Sequence, residues 1–273
     1  MAYINKFAFA GNIVFCSKYH SWRYKSEKRF RRENYKATTK QQEAINQRQA
    51  AERDLRYSIE NFNKGDKFIR LSYTKNNYPL SFDKADKILT SFLKKLKRKY
   101  KDLYYMANTE LGTRGGLHHH LLIPKDFDLN IIIDMWIKHC GGGFHIKDIY
   151  SGDIVQLASY FTKGSIDEQI SGGNENLYAD LQREHAKIKK MKIHKSRNLK
   201  KPPEPIKKKV RADSWREEPR TQVIGDYIYD VKPGSVITGF TQDGYPYQSY
   251  ILIRRGLRRT DNGRREMTCQ RRI

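Results

Sequence analysis

Hydrophobic and polar positions alternate with period two along KFIRLSYT (67–74), setting Phe68, Arg70 and Ser72 against Ile69, Leu71 and Tyr73, which predicts a strand. The period then lengthens. In FDKADKILTSFLKKLKRKY (82–100), Ile88, Leu89, Phe92, Leu93 and Leu96 gather on one side of a helix, lysines fill the other, and Ser81 stands at the N-cap. DLYYMANTEL (102–111) and LHHHLLIP (117–124) read as antiparallel strands joined across the glycine-rich turn GTRGG. LNIIIDMWIKHC is helical and stops at Gly141–Gly143; FHIKDI is a strand; SGDIVQLASYFTKG is a helix closed by Gly164. Upstream, AYINKFAFAGNIVF reads as a strand. Residues 41–61 hold Ala44, Ile45, Ala51, Leu55 and Ile59 near helical spacing, behind a capping-box pair, Thr39 and Gln42. The central order β-α-β-β-α-β-α predicts an α+β fold, with helices packed on one face of a central antiparallel sheet.

The remaining segments differ in kind. SWRYKSEKRFRRENYKATT (21–39) is densely positive without an apolar period and reads as a surface arm. The lysine- and proline-rich stretch 182–211 reads as a linker or arm that hugs DNA. DYIYDVKPGSVITGFTQDGYPYQSYILIRR reads as a β-hairpin turning at Asp243-Gly244. These readings divide the chain into an N-terminal strand, arm and helix (1–62), a catalytic domain (63–172), a basic arm or linker (173–222) and a C-terminal hairpin extension (223–273).

Charge narrows the partner. Lys and Arg number 54 against 30 Asp and Glu, a net +24, so a polyanion is expected. The 18 Tyr and 12 Phe interleaved with the basic residues favour nucleic acid over anionic lipid, since bases stack on such rings. No apolar run approaches the roughly 18 residues needed to span a bilayer, and nothing reads as a signal peptide. Three distant cysteines, Cys16, Cys140 and Cys269, suggest reduced thiols in a cytoplasm.

Candidate chemistry starts at the three consecutive histidines. Alternation along a strand turns His118 and His120 to one face and His119 to the other with Leu121 and Ile123. Two imidazoles at i and i+2 can grip one ion; they also suit two half-buried histidines hydrogen-bonded to their neighbours. Glu110, on the preceding strand, is the candidate third ligand, and two histidines with a carboxylate leave coordination positions open for water or phosphate oxygens. Ligand softness favours Mn²⁺ or Zn²⁺ and cellular abundance favours Mg²⁺. On the helix at 154–163, Ile154, Leu157, Ala158 and Phe161 form the core stripe, which leaves Gln156, Tyr160 and Lys163 opposite. Tyr160 there is either a surface tyrosine or a nucleophile with Lys163 beside it. A zinc site from His139, Cys140 and His145 is a further reading, without a second cysteine pair to complete it.

In FIRLSYT, ELGTRGGLHHHLLI and VQLASYFTKG, in that order, the chain resembles the HUH (His-hydrophobic-His) endonucleases, and within them the rolling-circle replication initiators of small bacterial plasmids and single-stranded DNA phages, of Gram-positive type. NFNKGD, HKSRNLKKP and GYPYQSY add to the likeness. The resemblance implies the ferredoxin-like nickase fold of that family, His118 and His120 as ligands of Mg²⁺ or Mn²⁺, with Glu110 similar to the family's acidic residues, Tyr160 as nucleophile and Lys163 as its companion. It departs at His119, where the family more often has an apolar or aromatic residue, and at Gln156, where two-tyrosine members carry a second nucleophile.

The expected activity is nicking and joining of single-stranded DNA at a replication origin in the bacterial cytoplasm, through a 5′-phosphotyrosine. Host helicase and polymerase are the expected partners, with a homo-oligomer as one route to a second cut. Arg29, Arg31, Arg32 and the arm after residue 182 suit phosphate contacts, while Arg70, Arg114 and the C-terminal segment are candidates for base readout. The alternatives are a non-catalytic basic nucleic-acid binder and a related relaxase or single-tyrosine transposase. Relaxases place the tyrosine before the histidines, and here it follows them.

Overall fold

A computed structural model describes residues 2–22, 40–112, 116–149, 193–241 and 244–257. The chain folds as two compact units, one of residues 38–201 and one that joins 1–37 to 202–273. The architecture is α+β, with helices packed on antiparallel sheet.

The 38–201 unit is a five-stranded antiparallel sheet. Its strands are β3 (Lys67–Leu71), β4 (Met106–Leu111), β5 (Leu117–Ile123), β6 (Phe144–Asp148) and β7 (His194–Lys195), in the order β6-β3-β5-β4-β7. One face carries Ile69, Leu71, Ala107, Leu121 and Ile123. Against it pack Leu89, Phe92, Leu93 and Leu96 of α2 (Phe82–Lys99) and Ile132 and Trp136 of α3 (Leu129–Cys140). The expected Ser81 cap is present, its hydroxyl accepting from the Lys84 amide, and lysines and an arginine end α2 where the helix dipole is negative. Gly141 closes α3 in the left-handed conformation, and Gly142 lies so close to β3 that a Cβ would sit 1.7 Å from the Ser72 carbonyl.

Helices cover both faces of this sheet, where the sequence pattern placed them on one. The end of α1 (Lys40–Asn61) and Phe62 seal the second face over Phe68, Met106 and Leu122, joined by Ile149 and Leu199. The short strand β7 is clamped from both sides. His194 bonds Asp86 of α2 at 2.5 Å and its neighbour Lys195 bonds Asp54 of α1 at 2.5 Å, because consecutive strand residues point to opposite faces.

The other unit is a seven-stranded antiparallel sheet. The N-terminal stretch that reads as one strand is two, β1 (Ala2–Ala10) and β2 (Ile13–Ser21), reversed at Gly11. Part of the expected linker is also strand: β8 (Ile206–Val210) pairs with β1. The remaining strands are β9 (Gln222–Ile224), β10 (Tyr227–Val231), β11 (Ile237–Phe240) and β12 (Pro246–Leu257); β11 and β12 form the expected hairpin, and β12 runs beside β2. Val14, Cys16, Tyr229, Tyr250 and Leu252 are the buried core of one face. No described helix is long and apolar enough to cross a membrane.

Candidate metal centre

Register does most of the work. In the β4–β5 pair Asn108 lies opposite His120, Thr109 opposite His119 and Glu110 opposite His118, and β3 sets Arg70 opposite His120 from the other side. Directly opposed residues share a face, so Arg70, Asn108, Glu110, His118 and His120 occupy one side of the sheet and Thr109 and His119 the other.

On the first side three donor atoms converge. Glu110 Oε2 is 2.6 Å from His120 Nε2 and 3.8 Å from His118 Nε2, and the two imidazole nitrogens are 3.0 Å apart. Donors bound to one divalent ion at about 2.1 Å stand roughly 3.0–3.4 Å from one another, which these three bracket. All three side chains are largely buried. The Gly116 carbonyl can only accept, so His118 Nδ1 at 3.2 Å carries the proton and its Nε2 lone pair faces the other two donors. Burial first, then the neighbouring His120, lowers the His118 pKa, so the ring is neutral at pH 7 and fit for ligation. Gly116 O also accepts from the Gly112 amide at 2.9 Å. A Cβ on Gly112 would press within 3.1 Å of the His118 ring, so the turn that orients this ligand leaves no room for a side chain there. The donor set fits a divalent cation of the Mg²⁺ or Mn²⁺ type.

His119 is a core residue. It is fully buried and bonded by the Thr109 hydroxyl at 2.9 Å and by the Tyr73 hydroxyl, with its edge toward Trp136. Burial, chiefly, pushes its pKa down to about 3, so it is a neutral polar link inside the apolar face. Burial likewise raises the pKa of Tyr73, which keeps its proton.

Beside the donor cluster opens a cavity of about 590 Å³ lined by Arg70, Ser72, Tyr73, Tyr78 and His118. Arg70 is exposed at its wall. His118 belongs to both cavity and cluster, so a group held in the cavity lies next to the three donors.

Of the residues singled out from sequence, Glu110, His118 and His120 come together and Arg70 joins their face. Tyr160, Lys163, Gln156, Arg114, Arg29, Arg31 and Arg32 lie outside the described residues. The zinc reading fails among the described residues. His139 on α3 is held by Lys95 at 2.9 Å and by the Ile88 carbonyl at 3.2 Å, while His145 is on β6, and the one group of three clustered ligands is Glu110, His118 and His120. Sequence reasoning passed over Asn108. It is fully buried on the ligand face, and neither amide atom has a hydrogen-bond partner among the described residues. Its position two residues before Glu110 on one strand was the available signal.

Residues 66–165 match the model of a family described as replication-associated protein, of the ORF2 kind, which supports a role in DNA replication and interaction with DNA. No curated protein matches the chain. Among solved structures, the hypothetical protein ORF119 from Sulfolobus islandicus rod-shaped virus 1 is similar over 43% of this chain and 97% of its own, at 21% identity and a TM-score of 0.31.

Proposed function

We propose that the protein initiates rolling-circle replication by nicking single-stranded DNA at an origin and rejoining it through a covalent tyrosine ester. The observation that carries this reading is the convergence of Glu110 Oε2, His118 Nε2 and His120 Nε2 on one point beside an open cavity, within the segment that matches a replication-associated family. A divalent ion held by these three side chains supplies Lewis-acid polarisation of the scissile phosphate. Everything else falls to the chain's own residues.

Tyr160 is the proposed nucleophile. Its oxygen forms a bond to phosphorus as the bond from phosphorus to the 3′ oxygen breaks; the phenol proton passes to solvent and the departing oxygen gains one, leaving a 5′-phosphotyrosine and a free 3′-hydroxyl. Forming phenolate at pH 7 from a tyrosine of pKa near 10 costs roughly 4 kcal/mol, and Lys163, one turn along the same helix, offsets part of that cost as a nearby cation. One phosphoester replaces another, so rejoining needs no nucleotide. With a single tyrosine, the second cut falls to another subunit or to water. The 3′-hydroxyl is the primer for a host polymerase, and unwinding is left to a host helicase.

The test is a single-stranded oligonucleotide library labelled at the 3′ end, incubated with protein and Mn²⁺ and resolved on a denaturing gel. The expected result is label that migrates with the protein, lost in Tyr160→Phe and in the presence of chelator. Tight binding with no adduct under any metal would replace this reading with that of a non-catalytic DNA binder.

A further inference from the structure

The seven-stranded unit lies wholly outside the family match, and the proposed chemistry makes no use of it. One end of its sheet carries aromatic rings that no core absorbs. His20 of β2 lies flat against Tyr245 at 4.0 Å and 9°, Trp22 stands edge-on to both, and Tyr3 of β1, opposite His20, touches it edge-on. Phe240 pairs with Pro246, the neighbour of Tyr245, and meets Trp215 at 5.1 Å, so both groups of rings sit at the same end. Their outer members face solvent: Trp22 is 57% exposed and Phe240 63%. Single exposed apolar residues are ordinary, but a cluster of half-open rings is a surface awaiting a flat partner.

Charge identifies that partner. In this unit Lys and Arg outnumber Asp and Glu by 24 to 11. Lys207, Lys208 and Lys209 lie exposed on edge strand β8, and Lys208 is two residues from the position opposite Tyr3, on the same face. Arg216 lies over the Trp215 ring at 5.4 Å. Not all of the cations are available: Lys18 is bonded to the Ser214 carbonyl at 2.7 Å, and Arg211 is paired with Glu217.

We propose that this end of the seven-stranded sheet is a second DNA-binding site, at which bases of single-stranded DNA stack on Trp22, Tyr245 and Phe240 while the β8 lysines hold phosphates. A duplex keeps its bases stacked on one another and cannot offer them to the rings; a single strand can, whatever its sequence. The choice of DNA over RNA rests on the nickase reading, whereas the stacking itself does not.

The test uses the full-length chain in EDTA, so that no cleavage intervenes, and reads the anisotropy of labelled (dT)20, (rU)20 and a 20-base-pair duplex. The double variant Trp22→Ala/Phe240→Ala is expected to bind (dT)20 at least tenfold more weakly and the duplex within twofold of the parent, and Trp22→Phe/Phe240→Tyr to restore binding. Equal (dT)20 binding by the parent and the alanine variant overturns the site, as does an equal loss for single strand and duplex. Tighter binding to (rU)20 overturns the assignment to DNA. The two proposals fail separately: ring-dependent binding without any Tyr160 adduct removes the nickase reading alone, and adduct formation without ring dependence removes this site alone.

Discussion

His118 and His119 are adjacent in the chain and face opposite sides of one strand: the first turns its Nε2 to His120 and Glu110, the second is bonded between Thr109 and Tyr73 inside the core. The two rings therefore answer to different tests. His119→Ala removes a buried ring and leaves two hydroxyls without their partner, an expected loss of about 3 kcal/mol with Mn²⁺ affinity nearly unchanged. His118→Ala is expected to do the reverse, with a modest loss of stability and at least tenfold weaker Mn²⁺ binding. Urea unfolding and titration calorimetry on the two variants separate the roles; parallel losses in both would show that register does not divide them.

Metal should also act as a stabilising ligand. If Mn²⁺ binds only the folded chain, raising it to about 100 times its dissociation constant adds about 2.7 kcal/mol to unfolding, and chelator removes that gain. Glu110→Gln keeps the shape of the side chain and removes the charge that sits 2.6 Å from His120. In that variant the Mn²⁺-dependent rise in melting temperature is expected to shrink to a small fraction of the parent's, with the metal-free melting temperature within a few degrees. A full Mn²⁺ response in Glu110→Gln would place the ion elsewhere.

Asn108 offers a stability test of opposite sign. Its buried amide lacks hydrogen-bond partners among the described residues, and an unpaired buried polar group costs about 1–3 kcal/mol. Asn108→Leu, close in volume, is expected to raise the stability of the metal-free protein by on the order of 1 kcal/mol. A large loss in urea unfolding would mean that the amide is bound in solution.

Much of the 38–201 unit was legible because its signals are local. The period change from β3 to α2, the Ser81 cap, the glycine stop after α3 and the parity of the three histidines each depend on a few neighbouring residues. Glu110 was legible to the extent that a short turn fixes register, and it lies opposite His118 as that turn requires. What failed was long-range pairing. Nothing in IKKKV announces that Ile206–Val210 pairs with a strand some 200 residues earlier, because edge-strand lysines look the same as linker lysines. The second helical face was missed for a related reason: α1 is weakly amphipathic, and its seal is made chiefly by its last turns and Phe62. Asn108 escaped because a buried amide among apolar neighbours leaves no pattern.

Burial in the seven-stranded unit carries a pH dependence. Tyr250 is 2% exposed and its hydroxyl accepts from Gln222 Nε2 at 2.9 Å; burial, chiefly, raises its pKa from 10 to about 12. The folded chain therefore holds this proton up to about pH 12, whereas the unfolded chain releases it near pH 10. Between those values the unfolded state binds fewer protons, so stability falls as pH rises; the contribution is intact below pH 10 and declines through the window. The loss is about 1.4 kcal/mol by pH 11 and on the order of 2–3 kcal/mol by pH 12. Tyr250→Phe has no proton to lose, and it should start less stable at pH 9 because Gln222 forfeits an acceptor, then close the gap as the parent weakens. Urea midpoints of both proteins at pH 9 and pH 11, followed by circular dichroism, give the comparison. Parallel shifts in the two proteins would mean that the alkaline loss arises at other groups and that the Tyr250 hydroxyl ionises as freely in the fold as out of it.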